Sequence, residues 1–277
     1  MLLNEIQSYY ASLQLAPNST LAYQRNKLKE FLHLYILNFI YKRDVFRDLI
    51  FYGGTCLRHC FNLPRLSEDL DFEYLNGSFP FDLLEQELKK YFSSELKYGE
   101  LVTKIQKFRI YLKFPVLAQL RIVSPDESEF LHLKIEINQT THEAGTYAIE
   151  THPFFGMQQT FFIKRYDLST LMASKLNALI ARTWTRNNKQ IGEISTIKGR
   201  DYFDLLWYMA RKVAPRITFT KFTSPETLWG EISKRVSIVK ESHIENDLVD
   251  FLDNPSEARE FAANFKQSFT ALMRANY

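Results

Sequence analysis

Residues 51–73 read Phe-Tyr-Gly-Gly-Thr-Cys-Leu-Arg-His-Cys-Phe-Asn-Leu-Pro-Arg-Leu-Ser-Glu-Asp-Leu-Asp-Phe-Glu. An apolar run ends in Gly53-Gly54-Thr55, and a helical pattern follows. Two glycines open backbone conformations closed to other residues and let a ligand approach the main chain. The N-terminus of the following helix offers N–H groups and the positive end of the helix dipole, which suits a phosphate. Thr55 would add a hydroxyl donor. Further on, Asp69 and Asp71 are two residues apart on an expected strand, so both carboxylates project from one face. Leu70 and Phe72 take the other face and anchor the strand. Paired carboxylates repel unless a cation lies between them. Hard oxygen ligands of this kind suit Mg²⁺, with Mn²⁺ a second possibility. A phosphate seat beside paired acids is what a metal-bound nucleoside triphosphate requires.

Gly53-Gly54-Thr55 followed by Arg65-x-Ser67-x-Asp69-Leu70-Asp71-Phe72 resembles the first signature of the AbiEii/AbiGii nucleotidyltransferase toxins, within the polymerase-β-like nucleotidyltransferase superfamily. That pattern continues with a helical lysine and an Arg-Asp-x-x-Asp element. Here these look like Lys175, followed by Arg182, and Arg200-Asp201-Tyr202-Phe203-Asp204. The order matches from about residue 50 to 208. The resemblance implies that Asp69 and Asp71 hold metal, that Arg65, Ser67 and Arg182 contact the nucleotide with Gly53, Gly54 and Thr55, and that Asp204 supports catalysis beside Lys175. A third carboxylate on a neighbouring strand often completes the metal site in the superfamily. Glu136 occupies a suitable position, although a charged strand face explains it equally.

Residue context bears on the same positions. Lys175 lies in the apolar stripe of Leu171, Met172 and Leu179. An ammonium there is costly without an anionic partner, so replacing it is expected to leave the fold intact or slightly steadier. The alternative is a lysine at the stripe's edge, snorkelling to water. Asp204 sits among Phe203, Leu205, Leu206 and Trp207, which leaves little polar face. Asp201 also fits a simple first-turn acid favoured by the helix dipole, which makes Asp204 the stronger candidate.

The elements that must position these residues follow from periodicity. Helices are expected at 2–14 and, capped by Asn18-Ser19-Thr20, up to about Tyr41. Leu49–Tyr52 reads as a buried strand, Thr55–Phe61 as a short helix, Leu70–Tyr74 as a strand and 80–93 as a helix. Lys104–Phe114 alternates as a strand, Leu117–Val123 reads as another, and Phe130–Asn138 is the clearest. From Asp167 onward the pattern is helical, at 168–182, 200–212, 225–238, 241–252 and 256–275. The expected fold is α+β. A mixed sheet of nucleotidyltransferase type with flanking helices fills residues 1–165, and an α-helical bundle carrying Lys175 and Asp204 fills 166–277.

Composition bounds the possible functions. The chain has 277 residues, 45% hydrophobic and 24% charged, with nine glycines. That is ordinary for a globular protein with a normal core. A net charge of +3 excludes a polycation, so any nucleic-acid contact must be local. Residues 182–200 hold Arg182, Arg186, Lys189, Lys198 and Arg200 against Glu193 alone, together with Trp184. They read either as an RNA contact or as a solvated loop. Cys56 and Cys60 with His59 between them fit a packed helix face, and low cysteine use fits a reducing cytoplasm. No signal peptide or spanning segment is expected. A Gly-x-x-x-x-Gly-Lys-Ser/Thr element is absent, which argues against P-loop kinases and ATPases.

The expectation is a metal-dependent enzyme that transfers a nucleotidyl group from a nucleoside triphosphate to an acceptor hydroxyl. The resemblance implies a toxin of a toxin–antitoxin or phage-defence system, opposed by a protein antitoxin, with the 3′ end of tRNA as acceptor. Modification of a protein or small molecule by the same core is the alternative. An inactive nucleotide- or RNA-binding module fits less well, because the acidic and basic set is intact.

Overall fold

The structure is a computed structural model. It describes residues 1–14, 20–123, 128–156, 159–182 and 197–276, with 186–188 and 192–194 described by backbone. The chain forms two compact units, Met1–His142 with Ile149–Arg165, and Glu143–Ala148 with Tyr166–Tyr277.

The first unit begins with α1 (Leu2–Leu13), whose Leu2, Ile6 and Tyr10 form a buried stripe at four-residue spacing. Helix α2 (Leu21–Tyr41) starts where the Thr20 hydroxyl accepts from the Tyr23 N–H. Its C-terminal half, residues 31–41, is buried on nearly every side, as its mostly apolar sequence requires. Strand β1 (Ile50–Tyr52) runs directly into α3 (Gly53–Phe61), which starts at Gly53 rather than at Thr55. Asn62 ends α3 in the left-handed conformation. Strand β2 (Asp69–Tyr74) and helix α4 (Phe81–Lys90) follow, and a single π-turn, Tyr91–Glu95, extends α4.

Two expectations fail next. Lys104–Phe114 is a hairpin of β3 (Val102–Gln106) and β4 (Arg109–Phe114), turning at Lys107 with φ +55°. The turn Lys107-Phe108 lacks the Gly or Asn that normally marks such a loop, so alternation ran unbroken through it. Leu117–Val123 is not a strand. Pro115 opens a short helix α5 (Val116–Gln119), and Arg121 then turns the chain with φ +58°. Strands β5 (Leu131–Gln139), β6 (Ile149–Gly156) and β7 (Gln159–Tyr166) complete the sheet.

The sheet order is β3-β4-β5-β2-β1-β7-β6. Strands β2 and β5 are parallel, as are β1 and β7. The pairs β1–β2, β3–β4 and β4–β5 are antiparallel. On one face Ile110, Leu112, Leu133, Ile135, Leu70 and Phe72 are buried. Phe72 stacks on Phe51 with ring centroids 5.2 Å apart. Alternation then puts the polar residues of β2, β4 and β5 together on the opposite face.

The second unit contains α6 (Leu168–Ala181), capped by the Asp167 carboxylate, which accepts from the Thr170 N–H at 2.9 Å. The short strands β8 (Arg186–Asn188) and β9 (Gly192–Ile194) pair antiparallel before α7 (Gly199–Ala210), so this region is not purely helical. Helices α8 (Pro225–Ile238), α9 (Glu241–Leu248) and α10 (Pro255–Asn276) follow. A Cβ on Gly199 would lie 2.5 Å from the Ile244 carbonyl oxygen, so glycine permits the close packing of α7 on α9.

Candidate functional site

Strand pairing assembles the acidic residues of the first unit. Asp69 and Asp71 share the polar face of β2, and their register partners on β5 are Lys134 and Glu136. Tyr52 on β1 pairs with Asp71, and Arg109 on β4 pairs with Glu136. Cross-strand partners point the same way. The three carboxylates Asp69, Asp71 and Glu136 therefore lie on one surface, with Lys134 and Arg109 among them.

The cations distribute between the acids. Lys134 Nζ is 2.9 Å from Asp69 Oδ2 and 3.2 Å from Glu136 Oε2. The Arg109 guanidinium donates to both Glu136 oxygens, at 2.7 and 3.3 Å. Burial disfavours the Lys134 charge, but Asp69 and Glu136 outweigh it and hold the ammonium above the usual lysine range. Burial likewise raises Glu136, and the bonds from Arg109 and Lys134 reverse this and hold its carboxyl below the usual range. Tyr52 accepts from Asn138 Nδ2 at 2.5 Å. Burial and the nearby Asp71 and Glu73 push its phenol upward, so it stays neutral.

The glycine turn adjoins this face. Gly53 has φ +79°, and a Cβ there would lie 2.5 Å from Asp71 Oδ2. The Asp71 carboxylate thus packs against the start of α3, in space that only glycine leaves open. A Cβ on Gly54 would meet Arg65 Nη2 at 2.9 Å and Ser67 Oγ at 3.0 Å.

Three residues expected at phosphate are turned inward. Thr55 is 0% exposed, and its hydroxyl donates to the Asp69 carbonyl. A hydroxyl has one proton, so Ser67 Oγ, 2.8 Å away, is the donor in its bond to Thr55. Arg65 is 2% exposed and donates from Nη1 to the Leu66 carbonyl at 2.7 Å. Thr55, Ser67 and Arg65 lock α3 to the entrance of β2. They set the position of the acids rather than presenting side chains to solvent.

The donor set can be tested against a divalent cation. Among the described residues no three acidic, histidine or cysteine side chains converge as a metal cluster. Glu136, expected as a third ligand, is instead engaged by Arg109 and Lys134. Asp69 shares the Lys134 ammonium with Glu136 but, among the described residues, is not held by a guanidinium, so Asp69 and Asp71 are the pair considered. One or two carboxylates plus substrate phosphates are the usual complement for Mg²⁺. The residues present fit the ion on those terms.

In the second unit, Lys175 Nζ lies 3.1 Å from Asp201 Oδ1 and 2.8 Å from Asp204 Oδ2. Asp201 is 4% exposed and Asp204 0%. Arg182 pairs with the other oxygen of Asp201. Lys175 therefore does not snorkel, and Asp201 is a full member of the cluster rather than a surface first-turn acid. Its three-residue spacing from Asp204 on α7 was the available signal. Arg200 is tied to Asp247 at 3.2 Å and lies over the Phe251 ring at 4.0 Å, so it fastens α7 to α9. Of the basic segment, Arg182 and Arg200 are thus internally paired. Trp184 and Lys189 lie outside the described residues, and Arg186 is described by backbone alone.

Cys56 and Cys60 are buried free thiols on α3, as a packed helix face requires. Among the described residues no helix is long and apolar enough to cross a membrane.

Comparison with known proteins agrees with the motif reading. A family model described as nucleotidyl transferase AbiEii toxin, type IV TA system, matches residues 37–275. No curated protein matches the chain. Two solved structures from Helicobacter pylori resemble it. One is JHP933, at 15% identity and TM-score 0.47, covering 89% of this chain and 94% of that one. The other is a "putative nucleotidyltransferase", at 16% identity and TM-score 0.47, covering 89% and 97%. On the family match, which spans both units and includes every acidic and basic residue described above, the chain belongs to the AbiEii nucleotidyl transferase toxin family.

Proposed function

We propose that the chain transfers a nucleotidyl group from a nucleoside triphosphate to an RNA hydroxyl, at the 3′ end of tRNA, as the toxin of a pair restrained by a protein antitoxin. One observation carries the chemistry: the Asp71 carboxylate packs against Gly53, at the N-terminus of α3. This supports a seat for phosphate beside a pair of carboxylates suited to a cation, and a triphosphate with its counter-ion needs both.

In the proposed reaction the acceptor oxygen bonds to the α-phosphorus, the α–β phosphoanhydride breaks, pyrophosphate leaves and the hydroxyl proton passes to solvent. Asp69 and Asp71 would hold Mg²⁺, or Mn²⁺, which supplies charge neutralisation at the phosphates when bound. The chain's own part is positioning: Thr55, Ser67 and Arg65 fix the acids against the turn. Incubating the purified protein with each labelled triphosphate and total cellular RNA tests the reading. Metal-dependent label in tRNA supports it. Label in a protein or small molecule with none in RNA would replace the acceptor.

A further inference from the structure

The β3–β4 hairpin carries a charge bias of which the acidic site uses only Arg109. Residues 102–114 read Val-Thr-Lys-Ile-Gln-Lys-Phe-Arg-Ile-Tyr-Leu-Lys-Phe, with Lys104, Lys107, Arg109 and Lys113 and no acid. Register fixes which of these share the acidic face. Lys104 pairs with Tyr111, Tyr111 with Lys134, and Lys134 with Asp69, so these four form one row across the sheet. Lys113, two residues from Tyr111 on β4, lies on the same face. At about 4.8 Å per strand, the row carries positive charge roughly 14 Å from Asp69 to the sheet edge. One aromatic is interleaved: Tyr111 is half-buried in the row, whereas the Phe108 ring at the hairpin tip turns to Phe81 of α4, with centroids 6.5 Å apart. A lysine on an edge strand also discourages edge-to-edge pairing. That accounts for Lys104, but not for Lys113 on an interior strand.

We propose that this face of the hairpin is the track for a single-stranded RNA end. Lys104 and Lys113 would hold its phosphates, and Tyr111 would stack a base, delivering the strand to Asp69 and Asp71. The proposal rests on the nucleotidyltransferase reading and adds to it the acceptor surface. Charge complementarity selects a polyanion, and the Tyr111 ring selects unpaired bases over a duplex. Arg109 is occupied by Glu136 and is left out of the track.

The test is the full-length double variant Lys104→Glu/Lys113→Glu, with Tyr111→Ala made separately. Lys221→Glu/Lys234→Glu, the same charge change at exposed sites of the second unit, is the control. Affinity for a short single-stranded oligoribonucleotide, and for the same strand annealed to its complement, is measured across a salt series beside triphosphate binding. We expect the hairpin variant to bind the single strand at least ~10-fold more weakly at low salt, with the salt slope shallower by about 1–2, and to bind triphosphate normally. Tyr111→Ala should weaken single-strand binding with the slope unchanged. If wild type binds RNA and the hairpin variant matches it in affinity and slope, the track is overturned alone. An equal loss in the control pair also overturns it, because net charge would then suffice. Loss of an acidic antitoxin with RNA binding intact overturns it in favour of a protein interface. If wild type binds no RNA, the track falls with the acceptor reading itself.

Discussion

Lys134 Nζ sits 2.9 Å from Asp69 Oδ2 and bridges to Glu136, so the chain supplies its own cation where its carboxylates gather. This arrangement relieves the repulsion that three acids on neighbouring strands would otherwise impose. It also means that an incoming divalent ion competes with an ammonium for Asp69. We therefore expect Lys134→Gln to bind Mn²⁺ more tightly, on the order of ten-fold, as removal of one nearby positive charge implies. Calorimetric titration with Mn²⁺ reads this directly. Affinity unchanged or lowered in the variant would show that Lys134 does not compete for the acids.

The second prediction concerns Gly53. At φ +79° an alanine is strained, and its Cβ would also fall 2.5 Å from Asp71 Oδ2. Gly53→Ala should cost about 1–2 kcal/mol of stability and displace the carboxylate, with activity lost along with it. Asp69→Asn and Asp71→Asn should lower transfer at least ~100-fold while the protein stays folded. Transfer assays beside thermal unfolding separate the two classes. Near-normal turnover in either aspartate variant would remove the assigned metal role.

Lys175 reverses an expectation. From its apolar stripe, its loss looked harmless to the fold. The structure instead shows its ammonium between Asp201 and Asp204, both buried. Lys175→Ala leaves buried acids without this partner and should destabilise by about 3–5 kcal/mol. Replacing the Lys175–Asp204 pair together, as Lys175→Met/Asp204→Leu, should recover part of that loss. Urea unfolding of the three proteins decides it, and an unchanged midpoint for Lys175→Ala would restore the snorkelling picture.

These cases mark how far sequence alone reaches. That Asp69 and Asp71 share a face, and that Glu136 lies on the polar face of its strand, was legible because a two-residue strand period assigns faces without knowledge of partners. The Gly53 turn was legible from its residue type. Inward-facing Thr55, Ser67 and Arg65 were not, because a hydroxyl or guanidinium near a glycine turn serves phosphate or backbone equally well until packing is known. Lys134 and Arg109 needed the strand register. Asp201 needed the fold around α7, where its three-residue offset from Asp204 brings both acids to one lysine. Strands β6 and β7 escaped notice because Ile149, Phe155 and Phe162 are exposed, so their alternation does not follow polarity.

The final prediction uses a buried imidazole behind the site. His33 is 0% exposed, and its Nε2 lies 3.1 Å from the carbonyl of Glu68, the residue preceding Asp69. A carbonyl only accepts, so Nε2 carries the proton in the neutral ring. Burial holds His33 well below the ordinary histidine value, with His59, whose ring lies 5.9 Å away, adding to the depression. Burial lowers His59 itself to about 3; the residue keeps some exposed surface, but its Nε2 is enclosed. Lys29, bridged to Glu68 at 3.2 Å, also faces this region. The sign follows from proton counting. Below about pH 6.5 the unfolded chain gains protons that the folded chain refuses, so stability is full above that pH and falls as pH drops. Each such histidine contributes a slope of up to about 1.4 kcal/mol per pH unit. Unfolding free energy measured at steps from pH 7 to 5 should therefore decline in wild type, and His33→Gln should decline less steeply, whatever its stability at pH 7. A variant slope equal to that of wild type would mean that His33 takes up its proton in the folded protein, and with it the neutral donor to Glu68 would be lost.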